Sequence, residues 1–223
     1  NGTPISAAMP TTAKPTASID LSNHFLLAMP GMADPNFTNA IVLVAEHSEK
    51  GALGLVVNKP TSMTLAALLS RIATDDKDPD EAGEADGAEG DDEGDAESGP
   101  AIGPDQPVFF GGPVQGDRGF VLHQPAGAWN STVQIGEHIS LTTSRDVLEA
   151  VAGGHGPQRL LVTLGYAGWG PGQLEAEIGQ NAWLTIPADP DLLFDTPPAE
   201  RFTHAYRLLG IDPALLAPKA GHA

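Results

Sequence analysis

No uninterrupted apolar run in this chain of 223 residues is longer than AIVLVA, Ala40 to Ala45. That is far short of the ~20 residues a membrane-spanning helix needs, and it is the length of a buried strand. Apolar or alternating stretches of strand length recur at Ala40–Ala45, Ala52–Val57, Val108–Phe110, Gly119–His123, Val133–Ile135, Ile139–Leu141, Arg159–Leu164 and Ala182–Ile186. Helical spacing is confined to three places. Leu65, Leu68, Leu69 and Ile72 share one face after Thr61-Ser62. Val147, Leu148 and Val151 follow Thr143, with Asp146 three residues on, a spacing that suits a capping box. Phe202, Ala205, Tyr206 and Leu209 follow Pro197-Pro198, and Gly210 supplies a stop. Strands outnumber helices and do not alternate with them. The expected class is α+β, with a mostly antiparallel or mixed sheet rather than a doubly wound parallel one.

Charge divides the chain. The formal net charge is −18, yet between Asp75 and Ser98 thirteen Asp or Glu stand against one lysine, Lys77, so that segment carries −12 of it. It is rich in glycine, lacks aromatics and shows no apolar period, so residues from about 75 to 104 read as a disordered acidic insertion within one domain. Closing a loop of that length costs the fold little. Residues 1–18, with three prolines, read as a disordered tail, and residues 19–223 as a single domain. About 175 ordered residues are enough to bury roughly 70% of the unfolded surface. The eleven Lys and Arg are scattered from Lys14 to Lys219 and form no basic stripe, so direct duplex reading is disfavoured. With no cysteine, thiolate catalysis, disulfides and Cys-ligated metal are excluded, in keeping with a cytoplasmic setting. No secretory signal is visible in the first eighteen residues.

The chemistry of the common enzyme motifs is missing. There is no GxxxxGK[ST], no GxSxG and no HExxH, and none of the seven histidines lies three to five residues from another. No catalytic residue, metal site or cofactor is expected. Three loop regions carry the remaining candidates. GYAGWGPGQLEAEI, Gly165 to Ile178, follows a strand and precedes a helix beginning near Pro171. A phosphate cradle there would need a GxGxxG it lacks, and Glu175 and Glu177 would repel the anion. The favoured reading is a tight corner in which glycines bend the chain, Tyr166 and Trp169 cover the core, and Leu174 and Ile178 face inward. FFGGPVQGDRGF, Phe109 to Phe120, reads as a hairpin-like connection with an Asp117–Arg118 ion pair, or as a ligand rim with Arg118 gripping an anion. AMPGMADPNF, Ala28 to Phe37, with VVNKP, Val56 to Pro60, reads as turn chemistry. Its alternative is a pocket where Asn36, Asn58 and Lys59 meet a polar ligand, although nothing in the sequence desolvates Lys59. Glu46 and His47 are strand neighbours that point to opposite faces.

Taken in order, FLLAMPGMADPNF, HSEKGALGLVVNKPT, PVFFGGPVQGDRGFVLH, LTTSRDVLEA, LGYAGWGPGQLEAEIGQNAW and PADPDLLFDTP resemble the bacterial AlgH/YqgE family, from Leu21 to about Leu216 and excepting the acidic insertion. The resemblance implies a compact fold whose bent sheet curls into a partial barrel, flanked by a few helices. Some members of that family carry a transcriptional-regulator label linked with alginate production. The family has no agreed catalytic residues and no assigned cofactor, so no role passes to any position here. The resemblance and the charge pattern together imply a regulator working through an unknown protein or small-molecule partner, without direct DNA binding and without a membrane. The rival expectation is a small-molecule-binding protein or enzyme with a site between the glycine-rich turns, using Asn36, Asn58, Lys59, Arg118, Tyr166 and Trp169.

Overall fold

The computed structural model describes residues 20–75 and 103–211. The tail over residues 1–18 and nearly all of the acidic insertion lie outside them. The insertion's edges are built into the body: Thr74 and Asp75 end a helix, and the Pro104 carbonyl accepts the Ala66 N–H at 3.0 Å.

In chain order the elements are β1 (His24–Ala28), β2 (Ile41–Ser48), β3 (Gly51–Val56), β4 (Pro60–Thr64), α1 (Leu65–Asp75), β5 (Pro107–Phe110), β6 (Val114–Gln124) and β7 (Thr132–Ile135). Then follow β8 (Ile139–Thr142), α2 (Asp146–Ala152), β9 (Arg159–Trp169), α3 (Gln173–Gly179), β10 (Trp183–Pro187), α4 (Pro190–Phe194) and α5 (Pro198–Leu208). The ten strands form one sheet in the order β10-β1-β2-β3-β9-β6-β8-β7, with β4 on β5 and β5 on β9. Every pair is antiparallel except β5 with β9, so the sheet is mixed. It curls strongly into a half-barrel, and the α+β class holds.

The curl originates in β9. Its first half, Arg159 to Leu164, pairs with β6, while Ala167 to Trp169 pairs with β3. Between them Gly165 takes φ +74, a left-handed conformation that a side chain resists, and the strand bends there. The β5–β6 connection crosses at that bend. Gly111 donates its N–H to Leu164 O at 2.7 Å and accepts from Val56 N at 2.8 Å. A Cβ on Gly112 would overlap the Tyr166 backbone, and one on Gly165 would overlap the Gly112 carbonyl. The two glycine-rich motifs, more than fifty residues apart in sequence, are therefore two sides of one backbone crossing.

Both faces are covered along β1 and the first half of β2, which explains apolar runs there without alternation. On β1, Phe25 and Leu27 face the half-barrel interior with Leu43, Leu122 and Leu161, and Tyr206 of α5 closes that interior. Leu26 and Ala28 face outward with Val42, Trp169 and Trp183, beneath Leu174 of α3. Farther along the outer face, Val108, Val121, Leu160 and Val162 lie under α1 and α2.

The proline-led helix and its stop are as the sequence reads. Gly210, at φ +71, donates to Arg207 O, and Ile211 N donates to Tyr206 O, a Schellman ending. The capping box at α2 does not form. Thr143 caps nothing. Asp146, the first helical residue, instead accepts the Asn130 N–H at 2.7 Å and the Ser144 hydroxyl. It is held by the β6–β7 loop, a long-range partner that local spacing cannot report. Strands β1 and β4 and helix α4 are elements the sequence reading leaves out.

Candidate functional site

The corner after β9 is sealed by one carboxylate. Glu177 Oε2 accepts both indole N–H groups, from Trp169 at 2.9 Å and Trp183 at 2.8 Å, while its Oε1 accepts the Gln173 side-chain amide at 2.9 Å. Gly172, at φ +72, turns the chain into α3, and Leu174 is buried beneath it. Helix α3 has seven residues and an acidic first turn, so no anion cradle exists here. Glu177, read from sequence only as a charge hostile to phosphate, is the acceptor that fixes two tryptophans. An acid four residues on from Gln173 was visible; its indole partners, from two strands, were not.

Beside this corner lies a cleft of about 320 Å³. One wall is the loop after β1, with Met32, Asp34 and Phe37; another is Pro113 and Val114 from the Gly111-Gly112 turn; the floor is Trp169, Glu177 and Trp183. The three aromatic rings touch. Phe37 stacks on Trp169 at 6.3 Å and meets Trp183 edge-on at 5.5 Å, and the two indoles cross at 6.1 Å. The cleft thus opens between the two glycine-rich turns, with aromatic walls and two carboxylates, Asp34 and Glu177. Asp34 is also the loop's own brace: its Oδ1 accepts the Asn36 N–H at 2.8 Å.

The six residues singled out in the sequence fall into three groups. Asn36, Asn58 and Lys59 meet in one place. Asn58 accepts the Ile41 N–H and donates to Asn39 O, both at 2.8 Å, and Lys59 donates to the carbonyls of Pro35 at 3.2 Å and Asn36 at 2.8 Å. These bonds hold the loop that carries Asp34 and Phe37. Lys59 is desolvated after all: burial pushes its ammonium below the usual lysine value, with Asp34 opposing. Trp169 adjoins this group through Phe37. Arg118 and Tyr166 stand apart, on Phe120. The guanidinium lies 5.3 Å from the ring centroid and Tyr166 meets the ring edge-on at 5.8 Å. Tyr166 packs toward the interior cluster and Trp169 toward the outer one. The local Asp117–Arg118 ion pair is absent; Arg118 donates instead to Gln115 Oε1 at 3.4 Å, because β6 continues through this stretch with a register shift between Val114 and Gly119.

The AlgH-like family model matches residues 25–214. The chain belongs to the AlgH-like family. A UPF0301 protein of Bordetella avium is 52% identical over 206 residues, covering 92% of each chain. One from Ralstonia nicotianae is 50% identical, over 95% of this chain and 100% of the relative. Among solved structures, the AlgH protein of Pseudomonas aeruginosa is 43% identical, with TM-score 0.67, over 98% of this chain and 100% of that one. A Corynebacterium diphtheriae protein of 18% identity, TM-score 0.63, covering 89% and 92%, shares the fold.

Elsewhere in this AlgH-like protein three ionisable groups, His47, His123 and Arg201, are engaged in structure. His47 reaches α3 rather than Glu46, because a register shift in β2 between Val44 and Glu46 resets the alternation. Its Nδ1 accepts the Leu21 N–H at 3.1 Å, so Nε2 carries the proton and donates to Glu175 at 3.2 Å. With both ring nitrogens occupied it is not a free base. His123 is fully buried. It donates from Nδ1 to Pro125 O at 3.0 Å and accepts the Thr142 hydroxyl at Nε2, 2.8 Å away. Arg201 of α5 lies under the sheet, bonding Thr196 O and Val57 O with its guanidinium 5.0 Å from the Phe109 ring centroid; desolvation brings it down to about 10. Among the described residues no cluster of three His, Asp or Glu is placed to hold a metal ion, and no helix is long and apolar enough to cross a membrane.

Proposed function

We propose that this AlgH-like protein is a cytoplasmic regulatory protein that acts by binding a small ligand, or through it a partner protein, at the cleft beside Trp169, and not by reading DNA bases. The carrying observation is the cleft itself. It is concave, aromatic-walled and dressed with a few polar groups, the make-up of a small-molecule site, and its 320 Å³ sits at the lower end of the usual size range. It lies between the two glycine-rich turns, and of the six residues singled out in the sequence only Trp169 lines it, beside Asp34, Phe37, Glu177 and Trp183. The regulator role rests on the label carried by some family members. Dispersed basic side chains support the negative half of the reading. Arg201 is buried, Arg159 is paired with Asp191 and Asp195, and Lys59 is bound to carbonyls.

The test is a thermal-shift and tryptophan-emission screen of the full chain against a diverse set of small metabolites. A ligand at 100 times its dissociation constant raises stability by ~2.7 kcal/mol and perturbs the emission of Trp169 and Trp183. Silence across the set, or a duplex-DNA footprint that persists at elevated salt, overturns the reading.

A further inference from the structure

We infer that the cleft beside Trp169 selects a small organic cation, an alkylated ammonium in chemical class; this rests on reading the cleft as a ligand site. The charge of the lining is one-sided. Among the described residues Asp34 and Glu177 are its two ionisable residues, and no basic side chain lines it. The three donors on Glu177, two indoles and an amide, are neutral. They fix the carboxylate in place without cancelling its charge. Lys59 offsets Asp34 in part, but it aims its ammonium at the Pro35 and Asn36 carbonyls. On its own helix, Glu177 has the neutral amide of Gln173 at the position a lysine would need for a helical ion pair.

The apolar lining agrees with the charge. Phe37, Trp169 and Trp183 line the cleft with aromatic carbon, most of it from half-buried Phe37 because Trp169 is only 7% and Trp183 2% exposed, and Met32 and Val114 supply surface for alkyl groups. A bare metal ion would find too few oxygens here and too much hydrocarbon. An anion would meet two carboxylates. A neutral apolar molecule fits the walls but gains nothing from Asp34 and Glu177. A cation wrapped in methyl or methylene groups draws on both features at once.

Choline and its neutral isostere 3,3-dimethyl-1-butanol separate charge from shape. Each is titrated into the full chain, with tryptophan emission and melting temperature read against sodium chloride at matched ionic strength. Choline is expected to bind about tenfold more tightly than the alcohol. Asp34→Asn keeps the Oδ1 that braces the loop and removes the charge. It is expected to weaken choline about threefold and leave the alcohol unchanged. Equal or tighter binding of the alcohol, or an unchanged choline affinity in Asp34→Asn, overturns the cation assignment while the cleft stands as a ligand site. Silence to both molecules also overturns it. If the metabolite screen is then positive the cleft survives as a site for another class, and if the screen is silent as well both readings fall.

Discussion

Single side chains carry more of this protein's stability than their sequence context announces. Glu177→Ala strips the acceptor from Trp169, Trp183 and Gln173 together. Leaving partly buried indole donors without an acceptor costs about 2 kcal/mol, read by urea denaturation, and shifts tryptophan emission. Glu177→Gln, which keeps one acceptor oxygen, is expected to fall between. His123 makes a pH prediction. Burial lowers its pKa below the ordinary 6.5, with the Pro125 carbonyl opposing. A base harder to protonate when folded binds more protons unfolded, so stability is full above 6.5 and declines as pH falls from there toward the lowered native value. Denaturation midpoints at pH 7.5 and 5.5 measure it, and His123→Gln is expected to flatten that part of the slope. Equal slopes in the two proteins would assign the acid sensitivity elsewhere.

At the level of elements, the decisive feature is the crossing of the β5–β6 connection over the bend of β9. Gly112→Ala and Gly165→Ala each place a Cβ against backbone that cannot yield, and each forces a positive φ on an alanine. About 3 kcal/mol per substitution is expected from strain plus overpacking. Because the two sites touch, the double variant should lose distinctly less than the sum, and a double-mutant cycle on chemical denaturation checks this. Additive losses would mean that the two backbones do not share one crossing. Helix α5 shows the opposite case, in which local rules suffice: a proline at its start, an apolar face ending in Tyr206, and Gly210 at its end. Tertiary contact adds what spacing leaves out, the Tyr206 hydroxyl donating to Ala28 O at 2.8 Å.

For the molecule as a whole, one half-barrel draws on segments from both ends of the described chain, with the acidic insertion lying between α1 and β5. Deleting Pro79–Ser98 leaves seven residues to rejoin Asp75 and Gly103, enough to span the ~16 Å length of the eleven-residue α1 back to β5. Stability of that variant is expected to stay within about 1 kcal/mol of the full chain, since loop closure varies only logarithmically with length. A larger loss in a thermal melt would show that the segment packs on the body. The sequence by itself determined the class and most of the strands, because short apolar runs broken by glycine and proline are local signals of buried extended chain. It also determined α5 and its ends, and it marked the two glycine-rich stretches as a tight corner and a hairpin-like connection. Only the tertiary structure decided what those turns close upon, which faces Tyr166 and Trp169 take, and which acid holds two indoles. Those facts depend on contacts between strands far apart in the chain. A register shift in β2 and a bend at Gly165 reset which side chains point where, and neither leaves a trace in residue spacing.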